Sequence, residues 1–128
     1  MIKNLLFIIL LQIGICSAQN KKCFCDENKL MNEAVINCDT IRLKNNCNIY
    51  WQFNCNKIWL TLETKNKSKI IINEVDTKLY AYTYRIGYQV VKDYPNSVLF
   101  RSGCPANGPC KLTLINKKNG KIVKECVN

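Results

Sequence analysis

The chain has 128 residues, 48% hydrophobic and 22% charged, with nine cysteines, no histidine and a formal net charge of +10. That length suits one compact domain, and the wealth of apolar residues excludes a disordered or collagen-like chain. The missing imidazole excludes Ser-His and Cys-His nucleophiles, histidine general bases and histidine-ligated metals.

Met1-Ile-Lys3-Asn4 is a short cationic start, Leu5–Ile15 an uninterrupted run of eleven largely apolar residues, and Cys16-Ser17-Ala18 a small-residue exit. That order predicts a secretory signal peptide over residues 1–18, cleaved after Ala18, and a single domain over residues 19–128. The run is too short for the roughly 20 apolar residues of a membrane-spanning helix, so no transmembrane span is expected. The expected location is secreted or periplasmic. Ile15 stands where a lipoprotein signal would place a small residue, which argues against a lipid anchor at Cys16.

Removing Cys16 leaves eight cysteines: Cys23, Cys25, Cys38, Cys47, Cys55, Cys104, Cys110 and Cys126. In an exported chain an even number predicts a disulfide framework. Five lie in residues 23–55 and three in residues 104–126, so full pairing needs a bridge between the two ends of the chain. Cys104–Cys110 is the expected local bridge, clamping the loop Pro105–Pro109, and Cys126 would then reach back to one of the first five. Without a CxxC pair, a cysteine-only metal site is not expected; no metal and no cofactor are predicted.

From residue 34 onward the chain reads as strands and turns. Ala34–Leu43 is a candidate strand. Ile49–Phe53 and Ile58–Leu62 alternate in hydrophobicity around the turn Asn54-Cys-Asn-Lys57 and predict adjacent antiparallel strands. Lys69–Glu74 follows. Tyr80–Val91 alternates over its whole length, with Tyr80, Tyr82, Tyr84, Ile86, Tyr88 and Val90 on one face, which predicts one long strand with an aromatic, core-facing side. Ser97–Ser102, Lys111–Ile115 and Lys121–Glu125 complete the series, the last two joined at Asn119-Gly120, a pair suited to positive φ. Only residues 26–36 could hold a short helix. The expected fold is all-β: a small antiparallel sandwich, barrel or meander of about seven or eight strands, stabilised by disulfides.

Lysine outnumbers arginine 16 to 3. The surplus of positive charge suits anionic partners, either an acidic protein or an anionic polymer. The scarcity of arginine, the usual reader of bases and phosphates, argues against nucleic acid. The candidate partner-binding lysines are Lys65, Lys67 and Lys69 in one turn and Lys117, Lys118, Lys121 and Lys124 around the last hairpin. Trp59 lies on the face opposite Ile58, Leu60 and Leu62, and is a candidate exposed anchor. Asn66-Lys67-Ser68 matches a glycosylation sequon.

No serine sits in a nucleophile elbow and no glycine loop cradles phosphate. The nine acids of residues 19–128 show no spacing that selects a catalytic pair. The sequence therefore points to an exported, non-enzymatic binding or inhibitor-like protein. A small carboxylate-dependent hydrolase and a structural module of the cell envelope are the alternatives.

Overall fold

A computed structural model of the chain describes residues 38–76, 78–79, 86–104 and 108–127. The predicted signal peptide, Cys16, Cys23, Cys25, the candidate helix at 26–36 and Tyr80, Tyr82 and Tyr84 lie outside the described residues.

The described chain is all-β and forms eight strands: β1 Ile41–Leu43, β2 Cys47–Phe53, β3 Ile58–Glu63, β4 Lys69–Val75, β5 Gln89–Asp93, β6 Ser97–Ser102, β7 Lys111–Asn116 and β8 Ile122–Val127. They make two antiparallel four-stranded sheets, ordered β1-β2-β3-β4 and β5-β6-β7-β8, so each sheet is a meander of sequential neighbours.

Turn chemistry marks four of the six hairpins. Asn54 Oδ1 accepts the N–H groups of Asn56 and Lys57, both at 2.8 Å, and so reverses the chain between β2 and β3. Lys67 takes φ 65° between β3 and β4. Tyr94 N–H donates to the Ser97 carbonyl at 2.9 Å between β5 and β6. The last turn is longer than a two-residue Asn-Gly loop: Gly120 N–H donates to the Asn116 carbonyl at 2.9 Å, and Gly120 alone carries the positive φ, 68°. A second reason requires glycine there. A Cβ at Gly120 would stand 2.7 Å from Ile70 Cγ2 and 3.3 Å from Ile72 Cγ2, because this turn of the second sheet presses on β4 of the first.

Alternation buries one face of each sheet against the other. Leu43, Cys47, Ile49, Leu60 and Leu62 of the first sheet form one cluster with Val98, Phe100 and Ile115 of the second. Each such large apolar side chain contributes about 1.5–3 kcal/mol relative to exposure. Tyr88 stacks on Phe100 with ring centroids 5.1 Å apart and packs against this cluster. A second cluster of Phe53, Ile58 and Val75 packs with Cys38 and Cys55.

Several strand ends shift by one or two residues, and two predicted strands depart further from expectation. The predicted strand Tyr80–Val91 is not continuous, since Ile86–Tyr88 lie outside any strand and β5 starts at Gln89. Gly87 bends the chain at this point, and a residue without a Cβ holds a strand poorly. Within the predicted Ala34–Leu43, only Ile41–Leu43 pairs among the described residues.

Cysteine pairing also departs in part. Cys104–Cys110 is bridged as expected, across the loop between β6 and β7, and closing so short a loop contributes about 2 kcal/mol. Cys38 and Cys55 are disulfide-bonded as well. Cys47 and Cys126, however, are free thiols, one buried and one exposed. Alternation is the reason. Cys47 faces the core between the sheets, whereas Cys126 stands opposite Leu112 on the outer face of the second sheet. Cys126 is therefore bridged to none of the first five cysteines, contrary to expectation.

Candidate functional site

In a four-strand meander the first and third turns fall at the same end. Here four such turns, two from each sheet, converge on a cavity of about 410 Å³. The Lys44–Asn46 turn contributes Asn45, and the β3–β4 turn contributes Thr64, Lys65 and Asn66. Asn96 enters from the β5–β6 turn, and Asn116, Lys117 and Lys118 from the β7–β8 turn, with Cys47 at the start of β2.

A buried charged clasp holds these turns together. Lys117 exposes 2% of its side chain, and its ammonium donates to the Lys44 carbonyl at 3.0 Å, the Tyr94 carbonyl at 2.6 Å and Asp93 Oδ1. The other Asp93 oxygen accepts the Lys44 backbone N–H at 2.7 Å. Three donors thus meet three acceptors drawn from both sheets, which is the condition for burying an ammonium at tolerable cost. Burial by itself would raise the Asp93 pKa. The hydrogen bonds from Lys117 and from the Lys44 N–H outweigh it and hold the carboxyl below the usual aspartate range.

A β-bulge aims Asp93. Val90 pairs with Phe100, but Lys92 pairs with Leu99 and Asp93 with Val98, leaving Val91 as an extra residue. Residues that pair across strands share a face, so the insertion turns Asp93 to the side of the buried Val98.

Lys117 is consequently not available to a partner, contrary to expectation. Trp59 is not an open anchor either. It is half-buried, and its indole N–H donates to Gln52 Oε1 at 3.1 Å, an oxygen that also accepts the Thr61 hydroxyl at 2.7 Å. Lys67 turns to Glu63 at 3.1 Å, and this hydrogen bond, first among the causes, lowers the Glu63 pKa. Lys69 pairs across to the same glutamate. Of the candidate lysines the structure brings Lys65 and Lys118 to the cavity beside Lys117. It leaves Lys121 in the connection after Gly120, and Lys124 on the outer face opposite Leu114.

Sequence reasoning missed the asparagines. Asn45, Asn66, Asn96 and Asn116 read as turn formers, and only the convergence of their turns makes them a polar wall. Their signal was present as four asparagine-bearing turns at alternate positions of a meander.

Chemically, the cavity offers two cations besides the neutralised Lys117, four amides and a hydroxyl, and none of its lining residues is acidic. Asp93 neutralises Lys117 behind the lining, and elsewhere Glu63, Glu74 and Glu125 each face a lysine. Among the described residues no group of three or more cysteines and acids is placed to hold a metal ion. Comparisons with known protein families, curated proteins and solved structures return no match for this chain.

Proposed function

We propose that the chain is an exported, disulfide-stabilised, non-enzymatic binding domain that takes an anionic ligand into the asparagine-lined cavity. One observation carries this reading: Lys65 and Lys118 flank a recess lined with amides and free of carboxylates. A negative group there gains Coulomb attraction without meeting a like charge. Carboxamides can donate to its oxygens while accepting from neighbouring hydroxyls. Cys47 lines the cavity without a base to activate it, which favours binding over nucleophilic chemistry. Export rests on the cationic, apolar and small-residue order of residues 1–18 and on the oxidised cysteines.

The test is nuclear magnetic resonance of the full chain titrated with a sulfated disaccharide and, separately, with its unsulfated parent. The sulfated sugar is expected to shift the side-chain amide signals of Asn45, Asn96 and Asn116, less strongly at high salt. Lys65→Gln with Lys118→Gln should reduce that shift. Equal shifts with the unsulfated sugar, or none with either, would overturn the proposal. Export is checked by sequencing the N-terminus of protein recovered outside the producing cell, which should begin at Gln19.

A further inference from the structure

The outer face of the second sheet carries a second recess, which meets the cavity end at Asn96 of the β5–β6 turn. Leu99, Leu112 and Leu114 point outward there, since they pair with one another or with outward neighbours, while Val98, Phe100, Thr113 and Ile115 fill the inner face. The leucines are half-buried and line a groove of about 590 Å³, with Tyr94 and Pro95 at one end and Cys126 beside Leu112. Lys92, Arg101 and Lys124 stand on the same face by register, and no aspartate or glutamate does among the described residues.

We propose that this groove docks an acidic protein surface, with an apolar side chain of the partner seated on the leucines and its carboxylates set against Lys92, Arg101 and Lys124. The charge complement is one-sided and therefore selects the partner's sign. The shape selects its class. Recessed leucines receive a protruding side chain, whereas insertion into a lipid surface requires apolar groups that protrude.

Pairing between sheet edges is the rival mode of association, and the edges oppose it. β1 has three residues, and β4, β5 and β8 each carry a register shift, at Ile72, Val91 and Val123. Short or bulged edges are poor templates for strand addition, which leaves the face as the docking surface.

Cys126 supplies the reporter, because its thiol is exposed at the groove while Cys47 is buried. The experiment measures the rate at which iodoacetamide alkylates Cys126 in the full chain. The probe is a helical peptide bearing leucine on one face and glutamate on the other. Its lysine counterpart and vesicles of phosphatidylglycerol are run in parallel. The glutamate peptide is expected to slow alkylation in a saturable way. Lys92→Glu with Lys124→Glu should weaken that protection about tenfold, because each reversal sets a carboxylate against the peptide's own. Lys57→Glu with Lys78→Glu, the same charge change placed elsewhere, should leave protection intact. Equal protection by the lysine peptide, protection by vesicles alone, or protection by none of the three would overturn the proposal.

Discussion

The cavity end and the outer face of the second sheet use the same residue types to opposite ends. Lys117 and Cys47 lie inside the turn end, the one clasped by Asp93 and two carbonyls, the other packed in the core. Lys124 and Cys126 lie on the outer face, both exposed. Composition does not distinguish members of either pair. Strand alternation, and the bulges that reset it, decide which lysine becomes structural and which stays available to solvent or a partner.

Removing Asp93 tests the comparison hardest. Asp93→Ala leaves a buried ammonium facing only two carbonyls, and should destabilise the domain by about 3–5 kcal/mol in urea unfolding. Asp93→Leu with Lys117→Met, which removes both charges, should recover most of that loss. The clasp also predicts a pH dependence. The folded pKa of Asp93 is depressed, so its contribution is fully present above the unfolded value of about 3.9 and is lost as pH falls from there through the lowered folded value. The decline in Tm over that window should therefore be shallower in Asp93→Asn. If Asp93→Ala costs no more than a surface substitution, the two ends do not differ as described.

A smaller effect is expected at Gly120, which carries the turn that delivers Lys117. Gly120→Ala puts a methyl group 2.7 Å from Ile70 Cγ2 and keeps a positive φ. The expected cost is about 1–3 kcal/mol, read as a lower urea midpoint at unchanged slope. The thiols provide a third comparison. Brief native alkylation followed by peptide mapping should modify Cys126 and spare Cys47, which should react only after unfolding. Comparable labelling of both would mean that the cavity end opens readily.

Much of the scaffold was legible in the sequence. Ser97–Ser102 matched a strand residue for residue, and Asn54–Lys57 and Lys65–Ser68 reversed the chain where turn chemistry placed them. Alternation is a local signal, and these elements are local. The clasp was not legible, because it joins Lys44, Asp93 and Lys117 across two sheets and depends on one extra residue at Val91. A bulge leaves almost no trace in hydrophobic patterning, since Val91 reads like any strand valine. The same limit explains Lys117, which belongs to a lysine pair with Lys118 in sequence and parts from it only when the turn is built. The asparagine wall could have been inferred by counting turns, given the assumption that both meanders run in line.

The smallest effect expected is at Lys67, an exposed lysine whose partner Glu63 also accepts a hydrogen bond from Asn48 Nδ2 at 3.2 Å. Lys67→Ala removes an ion pair whose lysine lies 72% exposed while its glutamate is 16% exposed, so salt reaches the lysine and the loss should stay below about 1 kcal/mol. Asn48 keeps the Glu63 carboxylate hydrogen-bonded in the variant, so the largely buried charge is not left without a donor. Unfolding in urea at low and at high salt separates the possibilities. A loss above 1 kcal/mol, or one unmoved by salt, would show that the exposed turns of this domain are held by charge as firmly as its clasped interior.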